Sequence, residues 1–384
     1  MKTSIKDTFY NVVSTSHKGK EGSPMKKVQE YVVKNKSIYI GLEDSKKTWR
    51  LCVRSEGLVV HEVSMPTVYE NLRNYLLLRY PGCRIQLIYE AGFSGFWLHD
   101  LLEGDGIDCI VTPPNKVTQE KDSRMKNDRI DARRLSKNLE NRDYRSCFIP
   151  DKELREDRQI SRTLAMTQKD ITRTMNRIRR FFDFHGLELL RDKQNWTVSD
   201  YKKTRQMVLG DSLKFSLDRL LDELDRLCGS KKQLKKKLQE LSKKTRYAKT
   251  FGHFESCPGI GWLTAIRLVL EWGEDLSRFP SGKHMASYVG LTASEYSTGE
   301  TIRRGHITSQ GNELVRSWLI QCAWIAIRKD PVLLEKFNAV WKNTGSKKKA
   351  IVATARKLAV RLRYLAVNDE DYELGLVEEI TVAA

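Results

Sequence analysis

Lys126-Asn127-Asp128-Arg129-Ile130-Asp131-Ala132-Arg133 is the stretch on which the fold turns. Asp128 and Asp131 stand three apart in a segment with helical character, so both carboxylates leave the same helix face. Like charges so placed repel, and a plain surface helix gains nothing from the pairing. A hard divalent cation held by oxygen ligands removes that penalty. Lys126, Arg129, Arg133 and Arg134 crowd the same turn, which suits a phosphate-bearing substrate beside the metal. Acid pairs at this spacing also occur on ordinary salt-bridged helices, so the company of the pair has to decide.

That company lies upstream. Ile38 to Leu42 reads as a buried strand, with Trp49 to Val53 and Leu58 to Val63 as hairpin partners. A helix is expected over Val68 to Arg79, a strand over Arg84 to Tyr89, a helix over Gly95 to Leu102 and a strand over Cys109 to Thr112. Three strands followed by helix, strand, helix, strand and helix is the order of an α/β ribonuclease-H-like (RuvC-like) domain. Glu43 then ends the first strand, Glu90 ends the fourth, and Asp128 and Asp131 ride on the last helix. Sheets of this kind bind ligands at the carboxyl ends of their strands. Four carboxylates from three elements so converge on one cleft, and this spacing favours a metal site.

Composition points the same way. The chain has 384 residues, 40% of them hydrophobic, enough for two or three domains with cores. Its 68 Lys and Arg against 49 Asp and Glu give a formal charge of +19, which favours a polyanionic partner through counterion release. The longest apolar stretch, Trp318 to Ile327, is too short to span a bilayer, so no membrane role is expected. No secretory core follows Met1, so a cytoplasmic location is expected. Seven single cysteines with no C-x-x-C spacing exclude a disulfide framework and a zinc site.

The organisation expected is a flexible basic tail over 1–36, the RuvC-like domain over 37–148, a helical connector over 149–250, a mainly α domain over 251–366 and a loose acidic tail over 367–384. In the connector a helical period runs from Asp151 to Phe182, and a polar break covers Asp192 to Asp200. Leucines from Leu213 to Leu241 then keep alternating steps of four and three, interrupted only at Lys231. That is a heptad seam, hence a coiled coil within or between chains, and a homo-oligomer (dimer or tetramer) if between them. Nine basic residues and one acid between Lys231 and Lys249, with Lys235, Lys236 and Lys237 at the centre, are expected to lie along phosphate.

Pro258-Gly259-Ile260-Gly261 opens the next domain as a helix-hairpin-helix-like turn, with Gly259 and Gly261 letting backbone N–H groups approach phosphate. A loop-like, hydroxyl-rich segment follows over 290–316, with Arg303 and Arg304 beside its hydroxyls. A hydroxyl beside guanidinium groups has the makings of a nucleophile on a phosphodiester, although Ser/Thr/Gly clusters are commonly turns.

These segments together resemble a known family. Ile40-Gly41-Leu42-Glu43-Asp44, Glu90-Ala91-Gly92 and Asp128-x-x-Asp131-Ala132-Arg133 are similar to the three acidic motifs of bacterial insertion-sequence transposases with a DEDD RuvC-like domain. Pro258-Gly259-Ile260-Gly261, Tyr296-Ser297-Thr298-Gly299 and Gly305-x-Ile307-Thr308-x-x-Gly311-Asn312 resemble the family's carboxy-terminal transposase domain. The resemblance implies a DNA recombinase that excises and inserts a mobile element, with Mg²⁺ (or Mn²⁺) on the acids and a serine nucleophile. It also implies a structured non-coding guide RNA that pairs with DNA. Two positions depart from the pattern. Glu43 stands where the family's first aspartate does, with Asp44 next to it, and Thr298 stands at the serine position with Ser297 before it. Glu43 is favoured as first ligand by its strand-end position; Thr298 and Ser297 both remain candidate nucleophiles. The rival readings are a RuvC-like nuclease in which metal-bound water attacks, and a non-enzymatic nucleic-acid-binding protein.

Overall fold

The computed structural model describes residues 35–114, 127–188, 196–295, 304–308 and 310–375. The chain forms two compact units, 1–149 and 150–384. The first is built on a five-stranded sheet of order β3-β2-β1-β4-β5. Its strands are β1 (Ser37–Asp44), β2 (Thr48–Ser55), β3 (Leu58–Pro66), β4 (Arg84–Glu90) and β5 (Asp108–Thr112). β1, β2 and β3 pair antiparallel, while β4 and β5 join parallel to β1. A mixed α/β sheet in this order accords with the ribonuclease-H-like expectation.

Alternation along β1 sorts its residues between the two faces. Ile38, Ile40 and Leu42 enter the main core with Leu87 and Tyr89 of β4. Leu72 and Leu76 of α1 (Tyr69–Arg79) and Leu98 and Leu102 of α2 (Trp97–Gly104) cover that face. The opposite face carries Tyr39 and Ile88, which pack against Leu135 and Leu139 of α3 (Asp128–Glu140). Gly41 lies on that second face, and a Cβ there would come 2.1 Å from the Ala132 carbonyl oxygen and 2.4 Å from the Ser136 nitrogen. Only glycine lets α3 settle so close to β1. Asn127, outside the helix, caps its first turn by accepting from the Arg129 N–H.

The second unit is mainly helical. α4 (Lys152–Phe184) packs along α6 (Asp211–Ser242), with Ile171, Ile178 and Phe182 set against Leu217, Leu224 and Leu227. Leu217, Leu224 and Leu227 of the α6 seam are thus covered by α4 of the same chain. Between them in the chain lies α5 (Val198–Arg205), a helix that starts within the last residues of the expected polar break and runs on past it. Its start is a capping box: Thr197 and Asp200 each accept from the other's backbone N–H.

α7 (Thr245–Glu255), α8 (Trp262–Trp272), α9 (Gly282–Val289), α10 (Glu313–Ala326), α11 (Pro331–Thr344) and α12 (Lys347–Asn368) enclose the larger core. Within the hydroxyl-rich segment two short strands, β6 (Ala293–Glu295) and β7 (Arg304–Ile307), pair as an antiparallel hairpin. The acidic tail differs from its expected looseness at its start. Asp369 and Asp371 hold His253 at 3.0 and 2.8 Å, and the Tyr372 N–H donates to the Ser256 hydroxyl at 2.9 Å. Behind them Arg361 and Asp330 form a buried ion pair at 2.7 Å, to which the Tyr372 hydroxyl adds. The cause is charge that hydropathy does not register: acids following a helix meet a histidine and Lys249 on α7.

Candidate functional site

Leu42 pairs with Tyr89, so Glu43 and Glu90 follow side by side at the carboxyl ends of two parallel strands. Both lie on the face covered by α3, whose first turn presents Asp128 and Asp131. Asp131 is 6% exposed, and Asp128 is exposed. Burial, then the charges of Asp131, Glu90 and Asp128, push Glu43 up to about 7, with Arg134 opposing them. One guanidinium thus stands among four carboxylates. Arg134 Nη2 donates to Asp131 at 2.9 Å and to Glu90 at 3.2 Å, while its Nε is buried without a partner.

Among the described residues no three acids, histidines or cysteines approach closely enough to hold a metal ion. The donor set itself is all oxygen with an excess of negative charge, which fits a hard divalent cation. Arg134 now bridges two members of that set.

Asp44 has a different task. It lies on the other face of β1, where its carboxylate accepts from Ser94 N at 2.6 Å, Ser94 Oγ at 2.8 Å and Trp49 Nε1 at 3.0 Å. These bonds fix the loop that follows Glu90. Two arginines expected to meet phosphate are also committed: Arg129 Nη2 pairs with Glu62 of β3 at 2.6 Å, and Arg133 pairs with the same carboxylate. The Arg133 and Arg129 hydrogen bonds hold Glu62 below the usual carboxylate range despite its partial burial. Lys126 lies outside the described residues.

In the second unit Gly259 has a packing reason. Its φ is +87°, and a Cβ there would meet the Cys322 carbonyl oxygen at 2.5 Å and Ala326 N at 2.9 Å, both on α10. That close approach is to α10. Gly261 precedes the first turn of α8 and is exposed. Lys236 and Lys237 are exposed on α6, Lys235 is half-buried, and Lys237 pairs with Glu240 at 3.2 Å. Ser297, Thr298 and Arg303 lie outside the described residues, and Arg304 opens β7.

Sequence reasoning missed Arg134 as the bridging cation, Glu62 as the sink for two arginines, and Ser94 as the partner of Asp44. The Asp131–Arg134 half of the bridge has the i,i+3 spacing of a helix pair, but no local spacing signals the others, since Ser94 is 50 residues from Asp44. No helix of the described residues is long and apolar enough to cross a membrane, and none of the seven cysteines forms a disulfide.

Comparison with known proteins matches both units. Residues 40–186 match the DEDD transposase domain of IS110 elements, and residues 252–338 match the IS116/IS110/IS902 transposase family. The protein y4rJ of Sinorhizobium fredii, provisionally named a transposase, is 27% identical over 85% of this chain and 91% of its own length. The transposase for insertion sequence element IS1533 of Leptospira borgpetersenii is 25% identical over 62% of this chain and 70% of its own. The pilin gene-inverting protein of Moraxella bovis is 36% identical over 26% of this chain and 32% of its own. With the DEDD match over 40–186 and the second match over 252–338, the chain belongs to the IS110/IS116 family of insertion-sequence transposases.

Proposed function

We propose that this transposase excises and inserts its element by strand transfer in which Glu43, Glu90, Asp128 and Asp131 hold Mg²⁺ or Mn²⁺. The observation that carries this is Glu43, raised to about 7 at the end of β1 by burial and the other three acids. Such crowding of like charge costs stability and is worth retaining only where a cation relieves it. When bound, the metal supplies Lewis-acid polarisation of the scissile phosphate. The residues of this chain do the rest. Asp131, buried in the first turn of α3, and Glu90, at the strand end, both accept from Arg134 beside Glu43, while Asp44 holds the adjoining loop still.

In the second unit the hydroxyl of Thr298 or Ser297 attacks phosphorus. Its oxygen bonds to phosphorus as the scissile P–O bond breaks, and the leaving oxygen takes up a proton as the attacking hydroxyl loses one. One ester replaces another, so the strands can be rejoined without an external energy source. Arg303 and Arg304 would offset the developing charge. The charge of +19 and the exposed lysines of α6 suit phosphate contact with DNA and with a structured guide RNA. A dimer or tetramer would use a surface other than the leucine seam, which α4 covers.

Asp128→Ala and Glu90→Ala, with excess EDTA as a third arm, test the metal half on a donor-end DNA substrate. Each should abolish cleavage with the fold retained; activity persisting in all three ends it. A covalent protein–DNA adduct that Thr298→Ala or Ser297→Ala removes distinguishes hydroxyl attack from the nuclease reading. Cleavage with no adduct would leave the metal-dependent nuclease in its place.

A further inference from the structure

Glu271, on the last turn of α8, is 1% exposed and sits among arginines. Arg162 of α4 grips both of its oxygens at 3.0 Å, Arg158 approaches to 3.9 Å, and Asn312 donates to Oε2 from Nδ2 at 2.9 Å. Asn312 uses the other end of its side chain as well, its Oδ1 capping α10 by accepting from Val315 N at 3.3 Å. As a helix cap aspartate would serve as well as asparagine. Only asparagine can also donate to a carboxylate. The choice at residue 312 is therefore explained by Glu271 and not by the helix.

Asn312 stands at the base of the β6–β7 hairpin. There Gly290, with φ +74°, and Gly311, with φ +110°, bring the two sides of the hairpin together: Cβ atoms would lie 2.1 Å from Gln310 O and 2.3 Å from Tyr288 O. Arg316 adds a hydrogen bond to Val289 O at 3.1 Å. A buried carboxylate is costly and is an uneconomical way to join two helices that already share an apolar core. Besides joining α8 to α4 through Arg162, Glu271 ties the loop before α10 to a rigid helix through Asn312.

We propose that Glu271 is a positioning residue for strand transfer, holding the base of the hairpin through Asn312. The inference rests on the reading that this hairpin presents the attacking hydroxyl. Displacing a reacting group by about an ångström can cost roughly a hundredfold in rate, so the clamp bears on chemistry more than on binding.

The test uses the full-length protein with Glu271→Gln, Asn312→Asp and the double variant. In Glu271→Gln, with its Oε1 kept on Arg162, two amide donors face each other; in Asn312→Asp, two carboxylates do. In the double variant the amide at position 271 donates to the carboxylate at position 312. That restores the donor–acceptor pair between the two positions and the single negative charge, while the Arg162 Nη2 bond to Oε2 stays lost. Each single variant should speed amide exchange over residues 293–295 and 304–308 by roughly tenfold. Strand transfer should fall by roughly tenfold to a hundredfold with the DNA Kd unchanged. The double variant should recover most of both losses relative to Glu271→Gln, the remainder reflecting the lost Arg162 bond. A double variant no better than the worse single one overturns the proposal, as do singles that leave exchange unchanged. If Glu271→Gln fails to fold, recovery of folding in the double variant supports the pairing and continued failure overturns it. If exchange responds and is rescued while the parent forms no covalent adduct, the clamp stands and the hydroxyl reading falls.

Discussion

Gly41 of β1 and Ala132 of α3 are in backbone contact: the Ala132 carbonyl oxygen lies 2.1 Å from where a Cβ on Gly41 would be. That contact sets the height of α3 above the sheet, and with it the distance from Asp131 to Glu43. Gly41→Ala should lift α3 and cost about 1–3 kcal/mol by overpacking. Chemical denaturation reads the stability, and Mn²⁺ titration followed by paramagnetic resonance should show weakened binding. Unchanged binding would mean that the acids do not depend on this contact.

A second expectation concerns pH. Burial and three neighbouring carboxylates raise Glu43 from 4.5 to about 7. An acid raised in this way binds its proton more tightly folded than unfolded. Its contribution to stability is complete below about pH 4.5 and is lost as the pH climbs through about 7. Glu43→Gln should flatten that part of the metal-free stability profile and leave the protein more stable than the parent at pH 8. Denaturant midpoints at pH 5, 6.5 and 8 check the sign.

Removing the bridging cation should act oppositely on metal binding and on the metal-free fold. Arg134→Met leaves Asp131 and Glu90 without their guanidinium. Mn²⁺ affinity should rise roughly fivefold, the equivalent of about 1 kcal/mol for a partly exposed pair. The metal-free variant should unfold earlier. Calorimetric titration measures the first effect, and weaker binding would make Arg134 a supporter of the site and not a competitor in it.

The leucine seam makes a fourth. Leu224 is buried against α4 in its own chain. Leu224→Ala should lower stability by about 2–5 kcal/mol through the cavity it leaves. Sedimentation should find the particle size unchanged, because the seam does not face another copy. A smaller particle would show that the same leucines also join chains.

Much of this was legible in the order of residues. Apolar, strand-like runs at 38–42, 84–89 and 109–112, the first two followed by Glu43 and Glu90, and a later Asp-x-x-Asp carried the order of elements along the chain and the place of α3 after the last strand, because hydrophobic pattern and chain order constrain an α/β sheet strongly. The helix α5 was written there too, in the reciprocal Thr197–Asp200 cap, but its short length hid it among polar residues. The seam's leucines announced a long helix without naming its partner, since a heptad seam looks alike whether α4 or a second chain covers it. Only tertiary structure decided that Asp44 ties Ser94, that Glu62 holds Arg129 and Arg133, that Gly259 makes room for α10, and that Glu271 reaches Asn312. Each of these pairs residues far apart in the chain. Charge and hydrogen bonding at 3 Å depend on where separate elements come to rest, and no local pattern in the sequence carries that distance.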